Sequence, residues 1–201
     1  MINSIRSGND LDFYDESFSD SKAWQALKGG DRGAYEFLFR KYYDDLYRYA
    51  VKFSGRSGMA EDHIQKLFLK IWRRRDKLQE VEAVKTYLWT ALRRSMIDTF
   101  RREKAERKYV EKYKNNSRMQ YSAEELVIRN EVNTIQSKEL KEAIARLTSR
   151  EREVLYLKFY EGMCYEEIEQ IMSVSYQTSR NYVYRALQSL KSILGSMVVP
   201  G

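Results

Sequence analysis

The sequence predicts an all-α fold of two small helical domains joined by a linker, the C-terminal one a helix-turn-helix domain of winged-helix-like kind. Three observations predict it. The 201 residues contain one proline, Pro200, and nine glycines, whereas Leu, Glu, Lys and Arg are abundant, so helix breakers are scarce and helix formers common. Apolar residues recur at helical spacing through most of the chain. The stretch YEEIEQIMSVSYQTSRNYVYRALQSLKS, residues 165–192, reads as two short amphipathic helices separated by a turn. Its first helix is expected to bury Ile168, Ile171 and Met172, and its second Val183, Ala186, Leu187 and Leu190.

The elements follow in order. Residues 1–22 are polar, with two basic and five acidic side chains, and are expected to be a flexible acidic N-terminus. From Ala26 to Phe53 the stripe Phe37, Leu38, Tyr42, Leu46, Tyr49, Ala50 predicts a helix, and most tyrosines fall within such stripes. The run SGRSG at 54–58 predicts a turn. MAEDHIQKLFLKIWRRR then predicts a helix whose stripe is Ile64, Leu67, Phe68, Ile71 and Trp72. VKTYLWTALRRSMIDTFRREKAERK, residues 84–108, joins an aromatic cluster to a basic helix. Its part from 93 to 108 carries seven basic and three acidic side chains. Residues 23–108 thus form the first domain, and 109–122, without periodicity, a linker. The second domain spans 123–196, with patterning strengthening at Leu140, Ile144 and Leu147. TSRE at 148–151 predicts a capping box: Thr148 accepts from the backbone of Glu151, whose carboxylate reaches back to Thr148. About four helices are expected, ending near Leu194.

Thirty-six Lys and Arg against 29 Asp and Glu give a net charge of +7, which favours a polyanionic partner. Most of that excess lies between residues 23 and 110, away from the helix-turn-helix. One cysteine and one histidine exclude a disulfide framework and offer too few ligands for structural zinc, so neither metal nor cofactor is expected. The N-terminus lacks a signal-peptide pattern, and no run is long enough to insert in a membrane. A soluble cytoplasmic protein is expected. No residue is assigned to catalysis: GRSG is not a phosphate loop, and the single histidine has no evident nucleophile. On the second helix of the helix-turn-helix, Ser175 is positioned as N-cap. Gln177, Thr178, Arg180, Asn181, Tyr184 and Arg185 lie away from the apolar face, and side chains of these types read base edges and phosphates.

Four blocks carry a resemblance. GGDRGAYEFLFRKYYDDLYRYA, AEDHIQKLFLKIW, YLWTALRRSMIDTFRR and LTSREREVLYLKFYEGMCYEEIEQIMSVSYQTSRNYVYRAL, in this order, resemble the two conserved regions of bacterial extracytoplasmic-function sigma factors. These are the smallest sigma-70 family transcription initiation factors. The resemblance covers roughly residues 23–194. It implies that the first domain (region 2) holds the polymerase clamp and opens the minus-ten element, and that the second (region 4) reads the minus-thirty-five element. It implies core RNA polymerase, promoter DNA and an anti-sigma factor as partners, with the polymerase supplying the chemistry.

The resemblance also implies roles for individual residues. Asp62 and Gln65 match the family's polymerase-binding pattern on the polar face opposite Phe68 and Trp72. Lys66 stands in that same face where the family has an acid, a cation meeting basic clamp residues. His63 is read as a solvated neighbour. Asp98, Arg101 and Arg102 match D-x-x-R-R, whose basic pair contacts DNA; phosphate neutralisation there is sequence-independent and salt-sensitive. Arg94 occupies the place of an Asn that holds an unstacked base, which an Arg can also hold by stacking or forked hydrogen bonds. Tyr87 and Trp89 are read as core aromatics. In the second domain Leu147, Arg152, Leu155, Gly162, Glu167 and Ile168 match the family. Cys164 replaces the usual Ser or Thr cap, Glu169 a small residue, Ser173 the turn glycine and Ser179 a β-branched residue. The alternative is an autonomous helix-turn-helix regulator, which should dimerise on two half-sites. The sigma reading expects a free monomer.

Overall fold

The computed structural model describes residues 19–110 and 134–198. α1 (Asp20–Lys28) starts where Ser19 accepts a hydrogen bond from the backbone N–H of Lys22. Residues 20–22, expected to be mobile, are therefore helical, and Trp24 and Leu27 of α1 are core. The rest of the acidic N-terminus lies outside the described residues.

The helix expected from Ala26 to Phe53 is split by Gly29 and Gly30. Asp31 restarts it by accepting from the N–H of Ala34 at 3.0 Å, capping α2 (Arg32–Ser54). α2 stops at Gly55, whose φ of 67° is a conformation that glycine takes without steric cost. α3 (Ser57–Arg73) and a short 3₁₀ turn (Arg75–Lys77) lead to α4 (Val84–Val110). The core lies between α1, α2, α3 and α4, with Leu38, Leu46, Ile64, Phe68, Leu88, Trp89 and Met96 buried. Trp24 donates its indole N–H to the Gln79 carbonyl at 3.0 Å and meets Tyr87 edge to face, pinning the connection between α3 and α4 onto α1. Trp89 and the half-buried Tyr87 are core aromatics, as the sequence led us to expect.

Tyr109 and Val110 extend α4 into the expected linker; residues 111–122 and the helical restart near Glu124 lie outside the described residues. α5 (Thr134–Arg146) precedes α6 (Ser149–Leu155), which opens on the expected capping box: the Glu151 N–H donates to Thr148 Oγ1 and the Thr148 N–H to Glu151 Oε2. α6 runs on as a π-helical turn, Tyr156–Tyr160. α7 (Tyr165–Met172) and α8 (Tyr176–Val198) complete the helix-turn-helix, with Ile168, Ile171, Met172, Val183 and Ala186 buried. Leu187 and Leu190 are the exceptions: Leu190 is half-buried, and Leu187 departs further. It is 45 % exposed, because it sits at the edge of the apolar stripe and opens onto a groove lined also by Phe159, Tyr160 and Leu190. Among the described residues no strand forms, so the helix-turn-helix stands without a β wing. The two domains touch: α7 packs on α4, and the buried apolar residues of both form one connected cluster.

Candidate nucleic-acid interface

On α8, Ser175 caps the helix by accepting from the Thr178 N–H at 3.2 Å, and the two hydroxyls lie 2.8 Å apart. That cap fixes the start of the helix and therefore which side chains project outward. Gln177, Arg180, Asn181, Tyr184 and Arg185 are all exposed and follow each other at helical spacing on one face; Thr178 is half-buried at its edge. Gln177 Nε2 donates to Asn181 Oδ1 at 3.2 Å, orienting both amides along the face. The substitutions flagged in the sequence are accommodated locally. Ser179 is fully buried and donates its hydroxyl to the Tyr176 carbonyl at 2.7 Å. Glu169 is half-buried, and its carbonyl accepts from the N–H groups of Ser173 and Val174. Ser173 takes the left-handed turn conformation itself, with φ 53° and ψ 52°. At Cys164 the capping box still forms, with Glu167 accepting from the Cys164 N–H at 2.8 Å.

On α4, Arg94, Arg101 and Arg102 are exposed. Arg94 and Arg101, two helical turns apart, open onto one cleft of about 700 Å³ that also takes Lys104 and Arg150. Arg102 turns away from it, donating to the Asp98 carbonyl and to Thr99 Oγ1. Asp98 lies 3.6 Å from the Arg101 guanidinium. α4 thus offers an arginine-lined strip rather than a closed pocket.

On α3, Asp62, Gln65 and Lys66 are exposed, as expected. Lys66 Nζ lies 2.5 Å from Asp62 Oδ2, one helical turn back, so the acid of this face is paired with the cation that replaces its usual acidic neighbour. His63, read from the sequence as solvated, is in fact buried. Its Nδ1 lies 2.7 Å from Ser95 Oγ on α4, and burial pushes its pKa below the usual imidazole value. The helix is rotated so that His63 continues the stripe of Ile64 and Leu67 into the α3–α4 contact.

A second groove, about 920 Å³ in volume, went unread in the sequence. It runs between the end of α3, the 3₁₀ turn and α4, and is lined by Lys66, Lys70, Arg73, Arg74 and Lys77 with Tyr87 at its wall. The signal was present in the run RRRDK at 73–77, where basic groups follow an amphipathic helix. A cationic groove with an aromatic wall suits a single strand of nucleic acid, because phosphates meet the cations while a base can stack.

Comparison with known proteins decides what these surfaces belong to. Residues 38–106 match the family model for sigma-70 region 2, and residues 137–190 that for sigma-70 region 4. The chain belongs to the sigma-70 family, in its extracytoplasmic-function (ECF) group. It is 25% identical over 162 residues to the RNA polymerase sigma factor YlaC of Bacillus subtilis, covering 80% of this chain and 91% of that one. It is 26% identical over 180 residues to the ECF RNA polymerase sigma factor SigL of Mycobacterium tuberculosis, covering 87% and 98%. The fold matches that of the sigma factor RpoE, solved in complex with the anti-sigma factor NepR from Bartonella quintana. The TM-score is 0.60 at 21% identity, with 80% of this chain and 96% of that one covered. In sigma terms, the region 2 match runs from within α2 to within α4, and the region 4 match from within α5 to within α8. No described helix is long and apolar enough to cross a membrane.

Proposed function

We propose that this sigma factor binds core RNA polymerase through the Asp62, Gln65 and Lys66 face of α3 and directs the enzyme to promoters. Region 2 opens the minus-ten element and region 4 reads the minus-thirty-five element as duplex. The observation that carries the reading is the pairing, on one chain, of a region 4 whose α8 presents five exposed polar side chains on one face with a region 2 bearing an exposed arginine strip.

The chemistry of each part stems from its residues. Arg180 and Arg185 can fork onto guanine O6 and N7, and Gln177 and Asn181 onto adenine N6 and N7, as an α-helix in the major groove requires. Arg101 and Arg102 neutralise phosphates of either strand. Arg94 holds a base turned out of the stack, which favours strand separation without an energy-consuming motor. The groove of Lys70, Arg73, Arg74 and Tyr87 carries the separated strand past it. None of these groups forms or breaks a covalent bond; catalysis belongs to the polymerase, and the factor works in the cytoplasm as a monomer when free. An anti-sigma factor is the natural antagonist, as NepR is the partner in the RpoE complex.

The test is co-purification of the chain with core polymerase followed by run-off transcription from candidate promoters. Specific transcripts that depend on the chain support the reading. Tight binding of the isolated chain to a palindromic duplex, unaffected by polymerase, would instead favour the autonomous regulator.

A further inference from the structure

The cleft of about 700 Å³ beside the exposed arginines has α4 for one wall and the start of α6 with the end of α7 for the other. Arg94, Arg101 and Lys104 stand along the α4 wall and Arg150 on the α6 wall, all four exposed. Two carboxylates also line it. Glu153 is buried and already saturated: Arg93 Nε lies 2.5 Å from its Oε1 and Nη2 lies 3.2 Å from Oε2, while Tyr49 donates its hydroxyl to Oε1 at 2.9 Å. Asp98 lies 3.6 Å from Arg101 in an exposed pair, which is weak enough for an incoming anion to displace. Arg150 Nη1 lies 3.9 Å from Glu153 Oε2, beyond hydrogen-bond length, so its N–H donors are left for a ligand. Between these cations the cleft is apolar. Phe53 and Met172 are buried there, and Ile97 and Phe100 are half-buried.

This combination selects among anions. A cleft of this size lies within the ~300–1,000 Å³ of ordinary small-molecule sites and takes one such molecule rather than a duplex. Inorganic phosphate would meet the cations but leave the apolar surface wet. A single carboxylate on an apolar tail would cover that surface but satisfy only one of the cations. Several phosphates joined to a flat ring use both parts, because guanidinium groups fork onto phosphate oxygens and also stack on ring faces. Arg94 and Arg101 are seven residues apart, about 10 Å along the helix axis. That separation divides a ring end from a phosphate end.

We propose that this cleft binds a nucleoside polyphosphate, with its phosphates on Arg101, Lys104 and Arg150 and its base beside Arg94 against Phe53 and Ile97. The site is a property of the free chain, however the chain is used. Its consequence rests on the sigma reading: Arg94 and Arg101 are the groups assigned to promoter DNA, so a bound nucleotide withholds them from it. The free factor would thereby respond to the nucleotide pool.

Calorimetric titration of the full chain, without polymerase or DNA, tests the site with ATP, GTP, inorganic tripolyphosphate and adenosine. ATP or GTP is expected to saturate a single site. Tripolyphosphate should bind about tenfold more weakly, for want of the buried ring, and adenosine not measurably. Arg150→Ala removes a charged donor outside the proposed DNA and polymerase surfaces and should weaken ATP about tenfold. Lys104→Ala, on the opposite wall, should act in the same sense and decides the matter if circular dichroism shows Arg150→Ala to be unfolded. No saturable nucleotide binding, tripolyphosphate binding as tight as that of ATP, or unchanged ATP affinity in the folded variants overturns the site. In fluorescence anisotropy, ATP should displace a labelled single strand from wild type more readily than from Arg150→Ala; equal displacement overturns the consequence. Nucleotide binding as expected, by a chain that fails in run-off transcription, keeps the site and removes the sigma reading.

Discussion

Ser173→Gly should stabilise region 4. Ser173 is the single non-glycine residue among those described with positive φ, at 53°, in the turn of the helix-turn-helix. For a residue with a Cβ this conformation costs about 1–2 kcal/mol, from the clash between Cβ and the following carbonyl. Glycine removes that clash but frees more of the unfolded chain, which returns about 0.5–1 kcal/mol. The net gain is about 0.5–1 kcal/mol. The bonds that define the turn survive, since the N–H groups of Ser173 and Val174 donate to the Glu169 carbonyl through backbone atoms alone. The Ser173 side chain is exposed, so little packing is lost. For a domain of this size the gain corresponds to roughly 2–8 °C in the melting midpoint. Thermal unfolding followed by circular dichroism checks it, with Ser173→Val as the opposite control, because a β-branched residue suffers more in this region. A lower midpoint for Ser173→Gly, or a Ser173→Val protein as stable as wild type, would show that the turn is not strained at this residue.

Three further outcomes are expected. Arg180→Ala and Arg185→Ala should each weaken holoenzyme binding to minus-thirty-five duplex by about 1–3 kcal/mol while leaving polymerase binding intact; wild-type affinity in both variants, measured by fluorescence anisotropy, would remove α8 as the reader. Arg94→Ala should slow opening of the minus-ten element, followed by the fluorescence of an unstacked base analogue, without altering upstream binding; unchanged opening would return Arg94 to the phosphate-contacting background. Burial lowers the pKa of His63 in the fold, so the unfolded chain takes up a proton first as pH falls below the ordinary value of 6.5. Its contribution is complete above that pH and declines below it, and His63→Gln should flatten this part of the stability profile in denaturant titrations at successive pH values.

What was legible in the sequence was what lies within one helix. The exposed polar face of α8 and the capping box at Thr148 depend on residues three or four apart, and both stand where the pattern put them. The split between α1 and α2 was also written locally, in Gly29-Gly30-Asp31, but the apolar stripe continues across it and so suggested one helix. Periodicity misjudged the margins of its own stripes. His63 and Leu187 each sit at the edge of an apolar face, and the neighbouring element decides the matter: α4 covers His63 with Ser95, while Leu187 is left beside the exposed Phe159.

The contact between the domains is different in kind, because no local pattern could announce it. Arg93 and Glu153 lie 60 residues apart, and each reads in sequence as one more surface charge on a charged helix. Charge on a helix face is ordinarily solvated, and only tertiary packing turns this pair into a buried one. Arg93 and Arg94 are adjacent on α4, yet their side chains project about 100° apart around the helix. One is therefore buried against region 4 while the other stays exposed in the cleft. The same turn of α4 that carries the proposed base-holding arginine thus also carries the arginine paired with Glu153 of α6.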